Sequence, residues 1–261
     1  MDGSHSRVAF TSEDQKGRKI FSEYFRELGL RPRQDAAGNL IIRMEGKQKD
    51  LPAIIVGSHM DTVLDGGKYD GVYGCVGGLE VMEVLRENGI SLRHPLEVIV
   101  FADEEGIRFG SGMFGSSAFC GETCGEINSD EQDIFGMTRE DVMNSVGVDL
   151  KKLAKASRDP DSVLCTLELH VEQGGCLEQA KIPIGVVTSI AGVKRYAVSL
   201  TGEANHSGST RMCDRRDALV AAAKAIAKLP DIIRQYGDAF TVGTVGQICA
   251  AGSCEYHSRE L

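Results

Sequence analysis

The chain has 261 residues, 42% of them hydrophobic and 26% charged, the balance of an ordinary globular protein with length for one large domain or two modest ones. Its 29 basic and 38 acidic side chains leave a formal net charge of −9, which excludes the basic footprint of a nucleic-acid binder or of a protein drawn to anionic membrane surfaces. No apolar run has the length of a membrane span and the start MDGSHSRVAF lacks a secretory signal, so a cytoplasmic setting is the expectation.

The elements alternate along the chain. SEDQKGRKIFSEYFRELGL places Ile20, Phe21, Tyr24, Phe25 and Leu28 at helical spacing, with Ser12 as the expected N-cap and an end near Gly29. NLIIRMEG and LPAIIVGSH read as strands, and GCVGGLEVMEVLRENG as a second helix with its own terminal glycine. HPLEVIVFADEEG is a short β-branched strand that runs into acids, and CTLELHVEQG is a further strand end. Short apolar strands alternating with helices predict an α/β fold, a central sheet with helices on both faces. The stretch GEINSDEQDIFGMTREDVMNSVGVDLKKLAKASRDPDS is polar and helix-prone, and is expected to cross the surface without chemistry.

From about Gly192 the texture changes. VKRYAVSLTGEANHSG alternates like a half-exposed strand, RRDALVAAAKAIAKLPDIIRQYG is a long Ala-rich helix, and AFTVGTVGQI is another strand. The expected division is therefore a domain over 1–191 and a smaller α+β domain over 192–261. Eight cysteines are scattered through both, with Cys120/Cys124 and Cys249/Cys254 closest and Cys75 alone. None has CxxC spacing, and they read as small buried thiols.

In open α/β sheets, functional groups gather beyond the strand ends. SHMDTVLDGGKYDGVYG follows the second strand, and its glycines let backbone approach closely. The candidate metal ligands are His59, Asp70, Glu105 and His170, a donor set suited to zinc or a similar ion. Asp61, two residues beyond His59, is placed to orient the imidazole, and Glu104 beside Glu105 lets one acid bind metal while the other takes a proton. Each piece also has an ordinary structural reading: a hydrogen-bonded histidine, a turn-forming aspartate, a solvated acidic loop. From the residues alone, both readings stay open.

GSHMDTVLDGGKYDGVYG, ADEEGIRFGSGMFGSSAFCG, LELHVEQG and GEANHSGSTRMCDRRDAL resemble, in order, the successive signatures of the dinuclear-zinc amidohydrolases and peptidases. HVEQG points to their carbamoylase branch: N-carbamoyl-L-amino-acid hydrolases, β-ureidopropionases and allantoate amidohydrolases. The resemblance implies a zinc-peptidase-like catalytic domain with a lid and dimerisation domain. It implies two divalent ions per subunit (zinc, or manganese, cobalt or nickel), with His59 and His170 on one, Glu105 on the other and Asp70 between them. Glu104 would be the general base and Asp61 would stand behind His59. Gln173 would contact substrate, and His206 would reach a carbonyl oxygen, commonly in the partner subunit. The implied reaction is hydrolysis of a ureido group in a small molecule by a homodimer.

Some features depart from that pattern. The family's last metal-binding histidine and its asparagine and arginine substrate contacts have no counterpart here; His257 of CEYHSREL lies in no ligand motif, and Arg211 stands where relatives carry proline. The chain therefore reads as a fragment of such an enzyme, with a catalytically inert metal-binding or dimerising protein as the alternative. Val193, where allantoate enzymes tend to carry glutamine, tilts the expected substrate toward an N-carbamoyl-L-amino acid.

Overall fold

The computed structural model describes residues 5–122 and 127–250. The chain divides into two compact units, Met1–Lys181 and Ile182–Leu261, a division that falls before position 192. His257, Cys124 and Cys254 lie outside the described residues.

The first unit is built on a five-stranded mixed sheet of β1 (Arg33–Gln34), β2 (Leu40–Met44), β3 (Ala53–His59), β4 (Leu96–Phe101) and β5 (Val163–Leu167), in spatial order β1-β2-β4-β3-β5. β2 runs antiparallel to β4, whereas β3 runs parallel to both of its neighbours, β4 and β5. The alternation of strand side chains assigns the two faces. Ile42, Val98 and Val100 pack with Phe21 and Phe25 of α1 (Ser12–Glu27) and Met82 of α2 (Val72–Glu87). Ile41, Ile55 and Ile99 point the other way, toward Phe119 of α3 (Phe114–Cys120). Helices thus cover both faces, as the strand-and-helix alternation predicts.

Several local readings need correction. The N-cap of α1 is Thr11, whose hydroxyl accepts from the Asp14 amide, and not Ser12. Ile20 and Tyr24 are exposed, so the buried stripe of α1 is narrower than the apolar spacing implied. The polar excursion is no mere surface crossing. Val142 and Met143 of α4 (Arg139–Ser145), with Val148, Leu153 and Ala156, are buried in one cluster with Phe109, Phe114 and Ala118. Of the described cysteines only Cys75 is buried; Cys120, Cys165, Cys176, Cys213 and Cys249 are exposed.

The first unit closes with the short helix α5 (Cys176–Ala180), and the described part of the second unit contains α6 (Ala218–Tyr236), with Asp217 capping its first turn, and a 3-10 turn at Met212–Asp214. Among the described residues, the two runs expected as strands form no ladder. A strand is defined by its partner, and neither run has one. No helix of the described residues is long and apolar enough to cross a membrane.

Candidate metal centre

The parallel register decides which residues meet. His59 is paired with Phe101 on one side, and Val56 with Leu167 on the other. Three residues past Val56 is His59; three past Leu167 is His170; three past Phe101 is Glu104. All three therefore emerge at the same sheet edge, the carboxyl ends of β3, β5 and β4. The two imidazoles stand side by side with ring centroids 6.0 Å apart.

Asp70 comes to them from the turn before α2. His170 Nε2 lies 3.0 Å and His59 Nε2 3.7 Å from Asp70 Oδ1, and His59 Nε2 is 3.6 Å from Glu104 Oε2. Around an ion with tetrahedral bonds of about 2.0–2.1 Å, ligand atoms stand about 3.3 Å apart. The spacings bracket that value, so the donors fit a divalent ion without rearrangement of the strands. The turn is held to this geometry by Gly71, which has φ 65°. A β-carbon there would lie 2.5 Å from Cδ2 and Nε2 of His59, so only glycine leaves the ring its place.

Tautomers complete the fit. Nδ1 of His59 donates to the Asp61 carbonyl at 2.9 Å, and Nδ1 of His170 to the Val171 carbonyl at 2.8 Å. A neutral ring with its proton on Nδ1 presents the Nε2 lone pair, which is the atom that faces the centre. His206, in the second unit, is set the other way. Its Nδ1 accepts from the amides of Gly208 and Ser209, both at 3.1 Å. Its proton is therefore on Nε2, and the exposed ring is a donor.

The structure brings together two overlapping donor sets, His59–Asp70–His170 and His59–Glu104–Glu105. They share His59, whereas the resemblance puts Asp70 between the ions. Asp61 is buried beside His59 and holds two neighbours. Its backbone carbonyl takes the His59 proton, while carboxylate Oδ2 accepts from the Glu105 amide at 3.0 Å. Oδ1, 3.8 Å from His59 Nδ1, is buried without a partner. Gln173 donates to Asp70 Oδ2 at 2.7 Å, so it touches the candidate ligand set itself.

Burial raises the carboxyls of Asp61, Glu104 and Glu105 above their ordinary values, and that of Asp103 to about 7. Desolvation is the largest cause in each, because water that would stabilise the charged form is excluded. A cation in their midst offsets that cost, which is a second reason for the donors to be gathered here.

One group was passed over in the sequence. Arg108 of GIRFG is buried, donating from Nε to Asp133 Oδ2 at 2.5 Å and from Nη1 to the Ala9 carbonyl. It ties the loop after Glu105 to the segment ahead of α1. An arginine flanked by isoleucine and phenylalanine was the available signal.

Residues 55–251 match the model of peptidase family M20/M25/M40. The chain is 42% identical over 246 residues to an N-carbamoyl-L-amino acid amidohydrolase of Geobacillus stearothermophilus, covering 94% of this chain and 59% of that protein. It is 35% identical to the allantoate amidohydrolase of Bacillus subtilis, covering 87% of this chain and 55% of that one. Among solved structures it resembles a hydantoinase/carbamoylase family amidase from Burkholderia ambifaria, with TM-score 0.70 and 34% identity over 89% of this chain and 56% of that chain. The chain thus spans somewhat more than half the length of these relatives. On a match that covers most of its residues, it belongs to peptidase family M20/M25/M40.

Proposed function

We propose that this chain carries the metal-binding part of a hydrolase that cleaves the carbamoyl group of N-carbamoyl-L-amino acids. The observation that supports it most is the convergence of His59, Asp70 and His170, with both Nε2 lone pairs turned to one point. Two divalent ions held by His59, Asp70, Glu105 and His170 would supply Lewis acidity to the substrate carbonyl and to a water. Zinc suits the nitrogen and carboxylate donors; manganese, cobalt and nickel are the alternatives.

The remaining steps belong to the chain's own groups. Glu104, one-third exposed at its side chain and raised by desolvation, takes a proton from the attacking water and delivers it to the ureido nitrogen bonded to the amino acid. The bond between that nitrogen and the carbonyl carbon breaks, freeing the amino acid and carbamic acid, which decomposes to carbon dioxide and ammonia. Asp61 fixes the Glu105 backbone and the His59 ring. Gln173, now on Asp70, is positioned to turn to substrate. The Nε2 proton of His206 is a donor for the carbonyl oxygen as it gains charge, delivered in a homodimer by a lid domain over 192–261. A cytoplasmic location accords with the free thiols.

A second reading, allantoate as substrate, is supported by the Bacillus subtilis relative. The test is ammonia release from N-carbamoyl-L-amino acids, β-ureidopropionate and allantoate, with each metal added in turn. In the active form, Glu104→Gln is expected to keep metal content and lose about 10²–10⁴-fold in turnover. Loss of metal in that variant would make Glu104 a ligand instead. Turnover of allantoate alone would decide for the second reading.

A further inference from the structure

The ladder that brings the two histidines together stops short of them. On one side, β3 pairs with β4 as far as His59, which stands opposite Phe101. On the other, its last pair with β5 is Val56 with Leu167, three residues before His59 and three before His170. β5 is an edge strand of the sheet, and its register against β3 shifts by one residue at Ala53/Ile54. Strand pairing therefore fixes His59 against β4, while the advance of His170 depends on whatever holds residues 168–170.

A side-chain bond closes that gap. Ser58, buried and next to His59, donates from Oγ to Oε1 of the exposed Glu168 at 2.5 Å. A hydroxyl on a carboxylate at that length is a charge-assisted bond, about twice as strong as a neutral one. α2 rests on the same seam. A β-carbon on Gly74, in its first turn, would stand 2.4 Å from the Leu169 carbonyl oxygen and 2.9 Å from Cβ of Ser58. Ser58 and Leu169 are the residues immediately before the two histidines, so the helix seats on both strand ends at once. Glu168 belongs to neither donor set of the centre. What its bond can do for a metal is to fix the distance between the ligands.

We propose that Ser58 and Glu168 are a positioning pair for the metal centre, a role that rests on His59, Asp70 and His170 being ligands. Their hydrogen bond holds the ends of β3 and β5 at the spacing at which both Nε2 atoms reach one ion. Ligands held in place beforehand bind more tightly, because the ion does not have to draw the strand ends together. Glu168 serves through the oxygen that accepts from Ser58 and not through its charge.

Cobalt(II) binding to the 261-residue chain, followed by equilibrium dialysis and by the visible band of the bound ion, tests this without turnover. Ser58→Ala and Glu168→Ala should each weaken binding about tenfold or more, as loss of an outer partner does. The double variant Ser58→Ala/Glu168→Ala should lose no more than either alone, because the two residues share one bond. Glu168→Gln loses the charge but keeps an accepting oxygen, and should bind within about threefold of wild type with the wild-type band. Should Ser58→Ala fail to fold, the two variants at the exposed Glu168 decide alone. Wild-type affinity in Glu168→Ala, or additive losses in the double variant, overturns the proposal. So does a loss in Glu168→Gln as large as in Glu168→Ala, which would mean attraction by charge. Absence of cobalt binding by the wild-type chain overturns the ligand assignment itself and this proposal with it, whereas binding that the variants leave intact overturns the proposal alone.

Discussion

Both units of this chain are rich in apolar residues, to opposite effect. In the first, Phe25, Ile42, Val98 and Ile99 are wholly buried between a sheet and its helices. In the second, Val186 and Ile190 are each 90% exposed, Phe240 and Val242 each 87%, and α6 buries no residue. Apolar patterning is necessary for a core but does not make one. The strands of the first unit have partners on both sides at its centre, whereas those expected in the second have none among the described residues. The histidines repeat the contrast: His59 and His170 are locked by β-strand register, while His206 rides on a short turn.

If the contrast is real, the largest effects should come from the strand-end site. His59→Ala removes a ligand common to both donor sets, and metal affinity should fall by more than about 100-fold, beyond the 10–100-fold typical of a lost outer partner. Equilibrium dialysis with zinc would measure it. Gly71→Ala should come close to it, because its β-carbon needs the space of the His59 ring and its backbone at φ 65°, ψ −46° lies outside the left-handed helical region, costing a non-glycine residue on the order of 1–3 kcal/mol. Wild-type metal affinity in Gly71→Ala would mean that the turn is softer than its geometry shows.

Next in size is a pair of phenylalanines. Phe25, fully buried against Phe21 with ring centroids 5.1 Å apart, should lose about 3–5 kcal/mol on truncation to alanine. Phe240→Ala should stay within about 0.5 kcal/mol, as an exposed side chain does. Urea denaturation of both variants checks the comparison directly. Equal losses would show that the second unit has a core after all.

Much of the first unit could be read from the sequence for the same reason that it is stable. β2, β3 and β4 are short, mainly apolar runs rich in isoleucine and valine, and they lie within a few residues of the quoted stretches. The candidate ligands at their ends could be placed for the same reason. What the sequence hid was tertiary. Val142 and Met143 sit in a polar run, and nothing in their spacing told that they close a core with Phe109 and Phe114. Asp61 was legible as a partner of His59, but not that its backbone would accept the imidazole proton while its carboxylate held Glu105. In the second unit, α6 was legible from its Ala-rich period. The flanking strands failed because strand patterning presupposes a neighbour that the described chain does not supply.

Cysteine chemistry gives the smallest and most local test. Cys75 lies at the first turn of α2, wholly buried, with its thiol against the His59 carbonyl at 3.3 Å. Burial pushes that thiol up to about 12. A raised thiol value means that the reactive thiolate forms only as pH climbs through about 12, so at pH 8 its fraction is on the order of 10⁻⁴. Cys120, Cys165 and Cys176 of the first unit, and Cys213 and Cys249 of the second, are exposed. Native alkylation with iodoacetamide at pH 8, read by peptide mass spectrometry, should label these five and leave Cys75 unmodified until urea is added. Raising the pH to 9 should not bring Cys75 into the labelled set, since its thiolate would still be only about one part in 10³. Labelling of Cys75 in step with these five would show the β3–α2 junction, and with it the turn that positions His59, opening on the timescale of the reagent.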